Sequence, residues 1–119
     1  MELAITILIL FISVQHFGFM VLEMFLWKKP AGMKIFRTKK DFAAESAPLA
    51  MNQGLYNGFL AAGLALSFFL PADGVNAARL FVLTCVAAAG VFGAFTVSRR
   101  IFFIQAAPAL AAIVLVLSR

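Results

Sequence analysis

The chain opens on the apolar run LAITILILFISVQHFGFMVLEMFLW, from Leu3 to Trp27, and this run decides the fold. An α-helix rises about 1.5 Å per residue, so about 20 apolar residues cross the roughly 30 Å of hydrocarbon in a bilayer. Further apolar runs follow at Pro48–Leu70, Ala77–Ser98 and Ile101–Leu117. The sequence therefore predicts an all-α, integral membrane four-helix bundle that forms a single domain over residues 1–119.

Composition supports this assignment. Hydrophobic residues make up 64% of the chain and the mean hydropathy is +1.02, whereas soluble domains average roughly 45–50% apolar residues. The net charge of +5 lies mostly in the predicted connections rather than along one helix face. An ordinary soluble domain is therefore excluded, and no nucleic-acid partner is predicted.

The basic residues also predict the topology. The first connection carries Lys28, Lys29, Lys34, Arg37, Lys39 and Lys40, and the third carries Arg99 and Arg100. The second connection, from Pro71 to Asn76, carries only Asp73. Because Lys and Arg in short loops favour the cytoplasmic side, both termini are predicted on the non-cytoplasmic face. The bases are then topology determinants and lipid-headgroup contacts.

Local signals shape the predicted bundle. The first connection is expected to be an interfacial loop, and Pro71-Ala-Asp-Gly74 is typical of a turn. Arg99-Arg100 leaves almost no loop, so the third and fourth helices should form an antiparallel hairpin that packs through small residues. Pro108 predicts a kink near Ile104–Gln105, because proline removes one helical hydrogen bond.

Seven polar side chains interrupt the apolar runs, all toward the predicted cytoplasmic end. They are His16, Glu23, Asn52, Gln53, Tyr56, Asn57 and Gln105. Such groups cost on the order of 2.5–3.5 kcal/mol in hydrocarbon and normally face a bundle interior or a water-filled cavity. His16 and Glu23 share a helix face, and the four polar residues of the second run form a stripe on theirs. We expect these seven residues to line a ligand-binding pocket open to the cytoplasm.

The same side chains are also compatible with roles that need no ligand. Asn, Gln and Tyr in membrane bundles hydrogen-bond one helix to another, at roughly 0.6 kcal/mol each. Glu23 could instead pair with Lys28 or Lys29, and His16 could carry protons near mid-membrane. His16 and Glu23 lie about 10 Å apart along the helix axis, too far to share one ion, so no metal site is predicted. No motif identifies a catalytic residue or a cofactor.

Three segments carry a resemblance to a known family. They are His16-x6-Glu23-Met-Phe-Leu-Trp27, Asn52-Gln-Gly-Leu-Tyr-Asn-Gly-Phe-Leu-Ala-Ala-Gly-Leu64 and Ile104-Gln-Ala-Ala-Pro-Ala-Leu110. They resemble the signature of a bacterial membrane family known as domain of unknown function 1304. The resemblance covers nearly the whole chain, implies a small four-helix protein of the bacterial inner membrane, and brings no established activity.

A more distant resemblance is to the MAPEG membrane proteins, which metabolise glutathione conjugates and eicosanoids. Asn52 followed by Gly-Phe-Leu60 resembles the start of their second helix, and Gln105-x-x-Pro108 resembles their fourth. The resemblance implies a trimer with a site near the cytosolic face. MAPEG chains typically carry Arg and Glu around that asparagine, where this chain has Pro48, Leu49 and Tyr56. Their third helix carries an arginine and a tyrosine that activate a thiol, and the third run is expected to offer only Ala, Gly, Phe and Cys85.

The sequence thus predicts a homo-oligomeric membrane protein, with a trimer favoured, whose pocket binds a small polar or amphipathic ligand. Glu23 and His16 would supply charge or proton exchange, and the amide side chains would orient the ligand. A MAPEG-like membrane enzyme, a small proton-coupled transporter and a purely structural role are the alternatives. An apolar outer half of the bundle argues against the transporter, which needs access to both faces.

Overall fold

The computed structural model describes residues 1–119 and is all-α. Its α-helices are α1 (Glu2–Met24), α2 (Pro30–Phe36), α3 (Lys40–Leu66), α4 (Val75–Thr96) and α5 (Ala107–Ser118). A 3₁₀ turn (Ser67–Phe69) follows α3, and a π-helical turn (Phe102–Ala106) precedes α5. Two helices, α1 and α4, are long and apolar enough to cross a membrane, and the apolar segment Phe102–Ser118 is shorter.

The third helix begins earlier than the sequence predicts. Instead of starting at Pro48, α3 starts at Lys40 and carries Pro48 inside it. The residues before the proline include strong helix formers, and Asp41 in the first turn interacts favourably with the helix dipole. Pro48 has no N–H, so it leaves the carbonyl oxygen of Ala44 without its helical donor but does not end the helix.

The predicted interfacial loop after α1 is largely helical, so the prediction of a loop is wrong. Pro30 lies in the first turn of α2, where a missing N–H costs nothing. The helix ends at Arg37, whose φ of 55° is left-handed and whose N–H donates to the Met33 carbonyl oxygen. A Cβ at Gly32 would collide with the carbonyl oxygen of Leu26. Glycine therefore allows α2 to pack tightly on the turn that follows α1.

Contacts between Cα atoms divide the chain into two compact units. The first comprises Met1–Ser13 and Ala62–Arg119, and the second comprises Val14–Ala61. In the first unit, Ile5, Ile9 and Ile12 are fully buried, as are Leu83 and Val86 on α4. The spacing of the three isoleucines places them on one face of α1, so that face forms part of this unit's core.

The hairpin between α4 and the last helical segment is confirmed. A Cβ at Gly90 would lie 2.7 Å from the backbone nitrogen of Ala106, so the two backbones touch there. The irregularity predicted near Gln105 is the π-helical turn, in which the Ala107 N–H donates to the Phe102 carbonyl oxygen five residues earlier. Pro108 follows in the first turn of α5.

A buried arginine fastens α4 to the 3₁₀ turn. The Arg79 Nε donates a 3.1 Å hydrogen bond to the Ser67 Oγ, and its guanidinium carbon lies 4.8 Å from the centroid of the Phe68 ring. The Ser67 hydroxyl in turn donates to the Leu64 carbonyl oxygen at 2.6 Å. The expectation that the third run offers only Ala, Gly, Phe and Cys85 is therefore wrong, because it omits this arginine.

The two ends of the chain meet in the same unit. The Arg119 Nε lies 3.0 Å from the Glu2 Oε1, and the Arg119 Nη1 lies 3.4 Å from the Asn76 Oδ1. Both partners of the ion pair are partly exposed, and exposed pairs contribute about 0–1 kcal/mol to stability. The pair therefore places both termini at one end of the unit and contributes little to the free energy of unfolding.

Candidate functional site

The second unit holds a buried polar pair that joins α1 to α3. Glu23 lies in the last turn of α1 and Asn57 lies in the middle of α3, and both are buried. The Asn57 Nδ2 donates a 2.7 Å hydrogen bond to the Glu23 Oε1. The amide N–H satisfies one oxygen of a buried carboxyl group that would otherwise lack a partner there. Glu23 thus pairs with Asn57 and not with Lys28 or Lys29.

A close helix contact explains why this pair forms. A Cβ at Gly54 would lie 2.7 Å from the Met24 Cγ and 3.0 Å from the Glu23 Cβ. Such a separation is tighter than packed side chains tolerate, so only glycine lets α3 approach α1 this closely. Asn57 follows Gly54 by three residues and lies on a neighbouring part of the same helix face. The glycine therefore sets the distance at which Asn57 reaches Glu23.

Beside the pair lies an open groove of about 670 Å³, here called the Glu23 groove. Its lining residues all belong to the second unit. They are Glu23, Met24, Phe25, Trp27, Lys28, Lys29, Ala44, Ala47, Pro48, Met51, Asn52 and Leu55. Most of these are apolar, whereas Glu23, Asn52 and the two lysines supply the polar groups. The groove is therefore amphipathic, with one carboxylate and two ammonium groups along an apolar wall.

The indole of Trp27 is fixed in one orientation at this groove. Its Nε1 donates a 3.0 Å hydrogen bond to the Ser46 Oγ, and the Ser46 hydroxyl donates to the Phe42 carbonyl oxygen at 2.6 Å. Its ring lies 4.9 Å from the ring of Phe36 on α2, centroid to centroid. Aromatic pairs at such distances contribute about 0.5–1.5 kcal/mol beyond their burial. The packing of α2 on the turn after α1, which Gly32 allows, thus supports the side of the groove that Trp27 lines.

The seven predicted site residues fall into different environments. Asn52 lines the groove with Glu23, while Gln53 and Tyr56 on the same helix are exposed. His16 is fully buried two turns before Glu23 and packs edge to face against Phe19, with 5.4 Å between ring centroids. Gln105 belongs to the other compact unit, where its Nε2 lies 3.4 Å from the Val86 carbonyl oxygen.

Sequence reasoning predicted Glu23 and Asn52 and missed the ten other lining residues, among them Trp27, Lys28 and Lys29. Hydropathy marks Trp27 as the end of the first apolar run, and the charge pattern marks the two lysines as topology determinants and lipid-headgroup contacts. The available signal was their order: an acidic residue in the last turn of an apolar helix, then tryptophan, then paired lysines. Across the chain, no three side chains of His, Cys, Asp or Glu are grouped as a metal site would require.

Comparison with known sequences identifies the family. The sequence profile of a family described as "Protein of unknown function (DUF1304)" matches residues 10–117. The chain belongs to this family. The resemblance to DUF1304 that the three motifs predict is confirmed. The chain is also similar to "Uncharacterized protein YpaA" of Lactococcus lactis subsp. lactis (strain IL1403), with 27% identity over 116 residues. That alignment covers 96% of this chain and 97% of YpaA. No solved structure matches the chain.

The DUF1304 match includes every residue of the Glu23 groove. The lining residues run from Glu23 to Leu55, and Asn57 follows two positions later, so all lie within residues 10–117. The groove therefore lies in the part of the chain that carries the DUF1304 match. The family description assigns no activity.

Proposed function

We propose that this DUF1304 chain is a multi-pass protein of the bacterial inner membrane that binds a small polar or amphipathic ligand in the Glu23 groove. The observation that carries the proposal is a groove of about 670 Å³ beside a buried carboxylate that is hydrogen-bonded to Asn57. Ligand sites are typically about 300–1,000 Å³, mostly apolar, with a few placed polar groups. The volume and lining of the Glu23 groove agree with that description.

Four segments are proposed to cross the membrane: α1, the part of α3 from Pro48 onward, α4, and the segment Phe102–Ser118. The lengths of α1 and α4 support the first and third crossings. The part of α3 after Pro48 is about 28 Å long at 1.5 Å per residue, close to the hydrocarbon thickness. The ion pair between Glu2 and Arg119 supports an even number of crossings, because it joins the two ends of the chain.

The basic connections support an orientation with both termini outside. Lys28 and Lys29 line the groove and belong to the most basic connection, which includes α2. Lysine and arginine in short loops favour the cytoplasmic side. The Glu23 groove then opens toward the cytoplasm, at the level of the lipid headgroups.

A homo-oligomer, with a trimer favoured, is part of the same proposal. Large apolar side chains remain exposed along the long helices, among them Phe11, Leu49, Phe59 and Phe92. Such side chains need lipid or another subunit around them. A MAPEG-like arrangement of the four crossings is proposed for the fold alone. Thiol activation is not, because α4 carries an arginine, Arg79, but no tyrosine.

Native mass spectrometry of the protein, gently extracted from its own membrane, tests the proposal. Wild type is compared with Glu23→Gln and Asn52→Ala, which change groove residues, and with Gln53→Ala as a control on the exposed neighbour. The expected result is a co-purifying small molecule in wild type and Gln53→Ala that both groove variants lose. Oligomers of unchanged, ligand-free mass in all four proteins would overturn the proposal and favour a structural role for the polar residues.

A further inference from the structure

The charges of the Glu23 groove are arranged in a definite order. Glu23 is buried at the end of α1, where Asn57 holds its carboxylate. Lys28 and Lys29 line the same groove but are exposed, in the turn between α1 and α2. The groove therefore has a carboxyl group inside and two cationic groups at its mouth, and no ion pair joins them.

The inner end is suited to an amine. The donor to the Glu23 carboxylate is a neutral amide, so no protein cation neutralises it. An ammonium group can donate hydrogen bonds to the carboxyl oxygens of Glu23 that Asn57 leaves free. The inner end therefore presents an acceptor that an amine can bind.

The mouth is suited to an anion, and the wall to hydrocarbon. Two lysine ammonium groups near the headgroup level attract phosphate or carboxylate groups. The apolar wall includes Met24, Met51 and Leu55, of which Met51 is 50% exposed and Leu55 is 41% exposed. Methionine adapts its shape to irregular ligands, and these side chains would cover part of an acyl chain.

We infer that the ligand of the Glu23 groove is a zwitterionic amphiphile, with its amine toward Glu23, its anionic group at Lys28 and Lys29, and its hydrocarbon along the apolar wall. This inference rests on the proposed function and narrows its ligand class. A purely anionic amphiphile would leave Glu23 without a cation, and a purely cationic one would have to pass two lysines. A zwitterion satisfies both ends, whereas each of the other two classes satisfies at most one.

Trp27 makes the test direct, because it is the chain's one tryptophan and it lines the groove. The full-length protein in a non-ionic maltoside detergent is titrated with three short-chain amphiphiles, and Trp27 emission is recorded. The probes are dihexanoyl phosphatidylethanolamine, dihexanoyl phosphatidylglycerol and a dihexanoyl trimethylammonium lipid. Their chains are matched, so only the headgroup differs. The expected result is the tightest saturable binding for the phosphatidylethanolamine.

Two sets of variants test which end of the groove binds the amine and which end binds the anionic group. Glu23→Gln, and separately the double variant Lys28→Gln with Lys29→Gln, should each weaken phosphatidylethanolamine binding about tenfold, the loss of one charge contact. Lys39→Gln with Lys40→Gln removes the same charge outside the groove and should leave the affinity within about twofold. Because all four lysines are exposed, none of these lysine changes threatens folding. Equal losses in the two double variants would overturn the assignment of the mouth.

The outcomes separate this inference from the proposed function. Tighter binding of the anionic or the cationic lipid to wild type would overturn the zwitterion inference while leaving an amphiphile-binding groove. No saturable change in Trp27 emission with any of the three probes would count against both.

Discussion

Asn57 lies 34 residues after Glu23, and its Nδ2 donates a hydrogen bond of 2.7 Å to the Glu23 Oε1. The bond joins two helices through buried groups, where the alternative to pairing is an unsatisfied carboxylate. The neutral amide satisfies one carboxyl oxygen without bringing a positive charge to it. The pair therefore serves both the packing of α1 against α3 and the electrostatics of the groove beside it.

Removing the donor should destabilise the chain. In Asn57→Ala the buried Glu23 carboxyl group loses its partner, and a buried polar group left unsatisfied costs about 1–3 kcal/mol. Denaturant unfolding in detergent, followed by circular dichroism, measures the change. Asn52→Ala is the matched control, because Asn52 lines the groove on the same helix and is exposed. Equal stabilities of the two variants would contradict a structural role for the Glu23–Asn57 bond.

Gly54 should tolerate no added side chain. In Gly54→Ala the new Cβ meets the Met24 Cγ at 2.7 Å and the Glu23 Cβ at 3.0 Å, so α1 and α3 must separate. Overpacking of this kind costs about 1–3 kcal/mol, and the same movement should lengthen the Glu23–Asn57 bond. Thermal unfolding in detergent measures the loss of stability.

The control for Gly54→Ala is Gly18→Ala on α1. No atom lies within 4 Å of a Cβ built at Gly18, so alanine there should be neutral or stabilising by up to about 1 kcal/mol. A Gly54→Ala protein as stable as Gly18→Ala would mean that the two helices do not make this contact.

Hydropathy predicts much of the fold, and the errors of that prediction have physical causes. The sequence predicted an all-α chain, and the helical ends of α1 and α4 lie within a few residues of the predicted runs. The prediction failed at α3, because a proline at the start of an apolar run is also typical of a helix start. Residues 40–47 mix charged and apolar side chains and favour a helix, so an apolar run could not mark them.

The candidate site was predicted only in part, because equal spacing does not give equal burial. Gln53 and Asn57 are four residues apart, yet only Asn57 is buried on the face that carries Gly54. The difference depends on which face of α3 meets α1, and that is set by a long-range contact at one glycine. Arg79 lies inside the predicted third run and was overlooked there, and its role depends on contacts with Ser67 and Phe68 earlier in the chain.

Arg79 should contribute more to stability than an exposed arginine such as Arg99. In Arg79→Ala the chain loses the hydrogen bond to Ser67 and the contact with the Phe68 ring, which together are worth about 1–3 kcal/mol. Arg99→Ala is the control, because Arg99 is exposed and should change stability by less than about 0.5 kcal/mol. Denaturant unfolding compares the two.

Hydrogen exchange localises the effect of Arg79. Amides of the 3₁₀ turn Ser67–Phe69 should exchange faster in Arg79→Ala than in wild type, because the turn loses its link to α4. Arg79→Lys should restore only part of the protection, since an ammonium lacks the planar guanidinium that lies over the ring. Unchanged exchange in the turn would contradict the conclusion that Arg79 holds the 3₁₀ turn against α4.

The proposed topology makes an asymmetric prediction for two single cysteines. One variant is Lys34→Cys, at a position in α2, and the other is Asp73→Cys, at a position in the turn before α4. Both positions are exposed. The variants are made in a Cys85→Ala background, since Cys85 is the only native thiol. A membrane-impermeant maleimide added to intact spheroplasts should label Asp73→Cys and leave Lys34→Cys unlabelled, and lysis should expose the latter. The reverse pattern would place the basic connection outside, and the Glu23 groove would then face away from the cytoplasm. Labelling of both positions before lysis would contradict the membrane crossings between them, because α3 would then leave its two ends on one side.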